Sequence, residues 1–197
     1  EFTEKGGKGV YTDTYTKHKC GGAPKKICLL TADYAQKHNH REQLSLTYYT
    51  AEKDLYDVKY FTPRLKEIYK ERNVPIELNT RVKGIDTEKK QVYFERIEKN
   101  GEEKIVTPFV EDYDFLHFTP PMSAPNFVKE AGLGFKEGKL AAGGWVEVDK
   151  ETFVHKTYSN IISFGDAAGL PTSKTSAAIR MQVPIATKNL IALMEGK

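Results

Sequence analysis

Two stretches of this sequence hold side chains whose types and spacing suit chemistry. The first is Lys17-His18-Lys19-Cys20-Gly21-Gly22-Ala23-Pro24, a thiol behind three basic residues and ahead of two glycines. Pro24 fits the first turn of a helix. Cationic neighbours and a helix N-terminus both favour the thiolate, the reactive form of cysteine. The second stretch runs from Ile161 to Thr175. An apolar, β-branched run ends in Gly165-Asp166, a tight loop follows, and Thr172 or Ser173 is placed to cap a long helical pattern. Such a sequence reads as a strand end, a carboxylate and a helix N-terminus. The free N–H groups and about half a positive charge at that terminus favour electron-rich groups. Lys174, read here in the first turn, opposes the helix dipole. A lysine in a disfavoured place beside a strand-end aspartate points to a ligand rather than to folding preference.

Each of these residues has a plainer reading. Asp is common at strand ends as a turn former, and a lysine is ordinarily a solvated surface group. Cys28, among Ile27, Leu29 and Leu30, reads as a small core hydrophobe. Cys20 and Cys28 are the only cysteines, and their spacing makes neither a disulfide framework nor a zinc site. His18, His38 and His40 lack the partners a metal would need, so no metal is expected. His117 and Trp145 read as structural. The tyrosines at 48, 49 and 56 lack a basic stripe beside them, which excludes nucleic-acid stacking.

The chain is long enough for one large domain or two small ones, with 197 residues and a mean hydropathy of -0.55. Thirty basic against 27 acidic residues leave a net charge of +3, too mild and scattered for nucleic acid or an anionic membrane. No apolar run approaches the roughly 20 residues of a membrane span.

The elements that must position the two stretches follow from periodicity. Residues 1–9 show none. Gly9–Thr16 alternates as a strand, and a helix begins at Pro24 with Ile27, Leu30 and Tyr34 at helical spacing, joined by Cys28 and Ala35. Leu44–Thr50 is a strand, Thr62–Arg72 a helix with Pro63 at its start, and Pro75–Asn79 a short strand. Arg81–Val92, Gln91–Ile97 and Lys104–Val110 form a meander around the turn signal Asn100-Gly101. Asp112–Thr119 leads into Pro120-Pro121-Met122-Ser123-Ala124-Pro125, a stiff hinge. Trp145–Asp149 is a strand, and the final helix extends to Met194 with a kink expected at Pro184. The order predicts an α/β fold, a three-layer Rossmann-like unit with a β-meander over residues 1–120, then part of a second domain over 121–197. The G-x-G-x-x-G dinucleotide fingerprint is absent after the first strand, so no nicotinamide is expected.

With these residues laid out, the chain resembles the sulfide:quinone oxidoreductases, flavoproteins of the pyridine nucleotide-disulfide oxidoreductase superfamily. Lys19–Lys26 is similar to the family's K-C-A-G-A-P-Q-K, Thr119–Pro125 to T-P-P-M-S-P-P, and Gly144–Thr152 to G-W-V-D-V-D-K-E-T. Gly165-Asp166 and Leu170–Thr175 resemble its flavin-proximal loop. The matches are ordered, span nearly the whole chain, and lie nearest the branch with the mitochondrial enzymes. The resemblance implies that Cys20 is one of two redox sulfurs, and that Gly165, Asp166, Thr172, Ser173, Lys174 and Thr175 hold FAD. Asp166 would accept from the ribityl hydroxyls, and Lys174 with the Ser173 and Thr175 N–H groups would face the flavin N1–C2=O edge. Relatives carry a cysteine where this chain has Ala167.

The family's first FAD-binding segment is expected before residue 1. The second cysteine and a membrane-binding region are expected after residue 197. The chain then reads as a central-to-C-terminal fragment, soluble and inactive alone. It would self-associate through surface the missing part covers. Its full-length form would sit on a bacterial cytoplasmic or mitochondrial inner membrane and act on sulfide and quinone. Alternative readings are a flavocytochrome c sulfide dehydrogenase, a type II NADH dehydrogenase, or a non-catalytic nucleotide-binding or interaction module.

Overall fold

Alternate residues of one strand set the layers of the first unit. The computed structural model describes residues 1–197, which divide into Glu1–Tyr15 with Gly21–Pro121, and Thr16–Cys20 with Met122–Lys197. In the first unit, helix α1 (Phe2–Lys5) leads into β1 (Gly7–Thr12), α2 (Ala23–Lys37), β2 (Leu44–Tyr49), α3 (Thr62–Glu71) and β3 (Ile76–Glu77). Strands β4 (Thr80–Asp86), β5 (Gln91–Asn100) and β6 (Glu103–Asp112) follow as an antiparallel meander, and β7 (Phe115–His117) closes the unit. The parallel sheet has the order β3-β2-β1-β7. On β1, Tyr11 joins the core under α2 and α3, while Val10 joins Phe94 and Val92 of the meander on the opposite face. A strand's side chains alternate between faces, so two adjacent residues anchor two different layers. This is the three-layer α/β unit expected from the element order.

Three local expectations are corrected. First, β1 begins at Gly7 and ends at Thr12 instead of running over 9–16; the Asp13 N–H still donates to the Tyr49 carbonyl at 2.9 Å, while its carboxylate meets Lys25 and Tyr48. Second, the residues before it are not featureless: α1 packs Phe2 on Phe115 with ring centroids 5.0 Å apart. Third, α2 turns Ile27, Leu30 and Tyr34 outward and buries Cys28, Ala32 and Ala35. The small residues let the helix lie close to the sheet, so size decided the buried face where hydrophobicity alone pointed to the other. We therefore expect Ala32→Leu to cost about 1–3 kcal/mol by overpacking, while Leu30→Ser stays within about 0.5 kcal/mol. Urea unfolding of both variants checks the ranking, and a reversed order would restore the original face.

The second unit contains α4 (Asn126–Glu130) and α5 (Ser176–Met194) around a core of Trp145, Val146, Val148, Phe153, Leu170 and Ala186. Trp145–Asp149 and Ile161–Phe164 were expected as strands. They form only isolated bridges, Val146 with Gly134 and Ala168, Val148 with His155, and Ile162 with Val154. Successive bridges to different partners hold these segments extended without a continuous ladder. Helix α5 runs unbroken through Pro184. No helix is long and apolar enough to cross a membrane.

Candidate functional site

The second unit brings Lys17–Cys20 of the first stretch together with the second stretch. Lys19 and Lys174 form a parallel bridge, and the Cys20 N–H donates to the Lys174 carbonyl over 2.8 Å. Lys17 Nζ donates to the Leu170 carbonyl at 3.3 Å, and the Met122 N–H donates to the Thr16 hydroxyl at 2.7 Å. Residues 16–20 are thus stitched onto the 165–175 loop at several points. Cys20 carries a free, half-buried thiol. Its φ of 55° lies in the left-handed region, where a residue with a Cβ is disfavoured by roughly 1 kcal/mol or more.

The loop itself is built from its ends. Gly165 has φ 65°, and a Cβ there would lie 3.0 Å from Ile179 of α5, so both conformation and close approach call for glycine. At Gly169 a Cβ would meet the Phe135 ring at 2.3 Å. The buried amide of Gln182 on α5 accepts from the Gly165 N–H and donates to Thr172 Oγ1, each at 2.9 Å, tying one end of the loop to the other. The Lys174 ammonium turns inward. It donates to the carbonyls of Gly165 at 3.4 Å, Asp166 at 3.1 Å and Ala168, and lies 4.1 Å from the Trp145 ring centroid.

Two details differ from the sequence expectation. The cap of α5 is Thr175, whose hydroxyl accepts from the Ala178 N–H at 3.1 Å, not Thr172 or Ser173. Lys174 therefore precedes the helix and is not in its first turn, so the expected conflict with the dipole does not arise. Four hydroxyl residues within 172–176 offered equivalent caps; the tie of Thr172 to Gln182 removes one of them. Thr172 and Ser173 are exposed, and Asp166 is half-buried. Its main-chain carbonyl meets Lys174, while its carboxylate accepts no hydrogen bond. Gln182 escaped the sequence reading. An amide in an apolar helix is the signal that would have found Gln182.

Burial first, and the neighbouring Lys17 ammonium next, push Lys174 down to about 8, against the opposing pull of Asp166. The unfolded chain, with the ordinary value of 10.5, binds the extra proton between these two limits. Stability contributed by this group therefore rises as pH climbs from about 8 to 10.5. Trp145 is the only tryptophan, so its fluorescence should titrate with a midpoint of about 8 and lose that transition in Lys174→Met. A midpoint near 10.5 would mean that the carbonyl cage outweighs burial.

In the first unit, the end of β1 and the start of α2 are filled from within. Lys25 Nζ binds Asp13 Oδ2 at 2.7 Å and the Gly21 carbonyl at 2.9 Å. Tyr48 donates to the same Asp13 oxygen at 2.7 Å. Cys28 is fully buried, and burial pushes its thiol up to about 12. His117 is half-buried, its Nδ1 lacks a partner, and burial lowers its pKa. No cluster of three or more His, Cys, Asp or Glu could hold a metal ion.

This fold is similar to that of FAD-dependent pyridine nucleotide-disulfide oxidoreductases. One such protein from Desulfovibrio vulgaris aligns with a TM-score of 0.56 at 15% identity, over 93% of this chain and 42% of its own. The sulfide:quinone oxidoreductase of Aquifex aeolicus aligns with 0.66 at 19%, over 96% and 44%. Sequence narrows the class. The chain is 35% identical over 193 residues to the mitochondrial sulfide:quinone oxidoreductase of Mus musculus, 98% of this chain and 40% of that protein. It is 37% identical over 186 residues to that of Dictyostelium discoideum, 94% and 38%. Over almost its whole length, then, the chain is homologous to the sulfide:quinone oxidoreductases. It spans about two fifths of these relatives. A chain in the structure of the Tetrahymena thermophila mitochondrial ATP synthase also aligns, with a TM-score of 0.72 at 25% identity, over 98% of this chain and 44% of that one. No family model matches the chain.

Proposed function

We propose that these residues form part of a flavoenzyme that oxidises sulfide to sulfane sulfur and reduces quinone, with Cys20 as one sulfur of a redox pair. The observation that carries this reading is the union of Cys20 with the 165–175 loop through the Lys19–Lys174 bridge and the Cys20 N–H bond. It places the half-buried thiol in the same unit as the residues assigned to the flavin. Cys28 does not qualify as the second sulfur, because a thiol titrating near 12 in an apolar core is not a nucleophile. The second sulfur is assigned to a part of the full-length protein beyond these 197 residues.

The donor set around the loop suits the isoalloxazine and ribityl parts of FAD. Asp166 has a carboxylate without a hydrogen bond, fitting hydroxyl donors. The Thr175 hydroxyl engages the Ala178 N–H and its carbonyl the Ile179 N–H, which leaves those of Ser176 and Ala177 for an electron-rich edge. Thr172 and Ser173 line the exposed rim. Lys174 would act from behind, holding the Gly165, Asp166 and Ala168 carbonyls in place. When bound, FAD supplies the two-electron acceptor that couples sulfur oxidation to quinone reduction. Cys20 would hold sulfur: hydrosulfide attacks the disulfide, one S–S bond breaks, and a persulfide forms on one cysteine while the other leaves as thiolate. A nicotinamide is disfavoured by the Asp13–Lys25 pair at the end of β1, which fills the place where a glycine-rich turn would admit a pyrophosphate. The mitochondrial relatives favour a mitochondrial location for the full-length protein.

Anaerobic addition of sulfide to the full-length protein tests this directly. Rapid bleaching of bound flavin by sulfide and not by NADH is expected. Bleaching by NADH alone would assign the chain to the NADH dehydrogenase reading. The ATP synthase neighbour supports a second reading, in which the same fold serves as an assembly subunit without catalysis. A full-length protein that binds no flavin would select it.

A further inference from the structure

One large side chain of the second unit is not explained by core packing alone. Trp145 is 2% exposed, yet its ring faces two cations, Lys174 Nζ at 4.1 Å and Lys19 Nζ at 5.5 Å from the centroid. These lysines are the two partners of the parallel bridge, and Cys20 follows Lys19 directly. Two ammonium groups paired across a bridge repel each other. No carboxylate forms a salt bridge with either, and Asp166 acts on Lys174 only at longer range. A π-face attracts cations by about 0.5–1 kcal/mol at exposed sites and more where water is excluded. The indole thus offsets the repulsion at the point where it would loosen the Cys20 N–H bond. The ring is itself fixed in place: a Cβ at Gly143 would lie 2.3 Å from the indole Nε1, so the indole edge passes over bare backbone. The Trp145 carbonyl accepts from the Phe135 N–H at 3.0 Å.

We infer that Trp145 is a positioning residue for Cys20. Its indole gathers the Lys19 and Lys174 side chains, holds their main chains in register, and keeps Cys20 in its left-handed conformation. The ring acts through the lysines and does not touch the thiol. The purpose rests on the proposed redox role of Cys20, but the positioning itself does not.

The test uses this 197-residue chain at about pH 7, below the Lys174 titration. Two readouts apply: hydrogen exchange of the Cys20 amide, and the rate at which iodoacetamide alkylates the Cys20 thiol, since Cys28 is buried. Trp145→Leu keeps apolar bulk without a π-face, whereas Trp145→Phe keeps a ring. In Trp145→Leu the Cys20 amide should lose about tenfold in protection, with alkylation several-fold faster, while the Ala178 amide is unchanged. Trp145→Phe should return both to within about threefold of the parent. Unchanged protection in Trp145→Leu, or a Phe variant no better than the Leu variant, would overturn the inference. If Trp145→Leu unfolds the unit, seen as lost protection at Ala178 as well, the Trp145→Met, Lys19→Met double-mutant cycle decides, since methionine keeps apolar bulk without a π-face. Non-additive effects on Cys20 protection support the clamp, and additive ones reject it. Sulfide does not enter these measurements. A full-length protein bleached by sulfide without Cys20 would therefore sink the redox assignment and leave the positioning role standing.

Discussion

Replacing Cys20 by serine in the full-length protein is expected to reduce sulfide-driven flavin bleaching by at least about a thousandfold, the scale of losing a covalent nucleophile. Serine preserves the size, the left-handed φ of 55° and the N–H donated to the Lys174 carbonyl. It removes the sulfur. A hydroxyl oxygen cannot form the S–S bond that stores sulfane sulfur, nor leave as a stable anion near neutral pH. Flavin content and its spectrum should stay unchanged, because the residues assigned to the cofactor are not touched. Stopped-flow absorbance under anaerobic conditions separates the outcomes. Full loss with flavin retained supports the assignment, while bleaching at the parent's rate moves the chemistry to another thiol.

The second large effect lies in the first unit. Asp13 and Lys25 are 3% and 4% exposed, joined at 2.7 Å, with Lys25 also over the rings of Tyr48 and Tyr56. Burial, followed by the charge of Asp13, raises the Tyr48 pKa far above its ordinary value, so the phenol stays protonated and donates to the carboxylate. Asp13→Ala should cost about 3–5 kcal/mol, because the lysine left behind is a buried charge without its counterion. That is a large part of the 5–15 kcal/mol typical of a whole domain. Adding Lys25→Met should recover most of it, since replacing both charges with apolar groups is often neutral. Urea unfolding gives both numbers. A single-variant cost below about 1 kcal/mol would mean that water reaches the pair.

Sequence alone determined the order of the elements from β1 to β7, and with it the α/β class. Alternation in 44–50, helical spacing in 62–72 and the Asn100-Gly101 turn are local signals written in local residues. It also singled out Cys20 and the 165–175 loop, because a thiol among cations and a Gly-Asp before a helix are unusual compositions that need no neighbour to be noticed. The core place of Cys28 was legible for the same reason. What the tertiary structure decided were the choices among locally equivalent options. Ile27, Leu30 and Tyr34 lie on a face of α2 as apolar as the one it buries, and only the closeness of the sheet selects Cys28, Ala32 and Ala35. Thr172, Ser173 and Thr175 are interchangeable caps until Gln182, ten residues beyond Thr172 along the chain, takes the first of them. The segments 145–149 and 161–164 look like strands because each residue is extended, but a ladder needs a partner of equal length, and the chain supplies single bridges. The inward turn of Lys174 is of the same kind. A lysine's sequence position says nothing about which carbonyls lie within its reach, and it took the fold of Gly165–Ala168 and the ring of Trp145 to supply them.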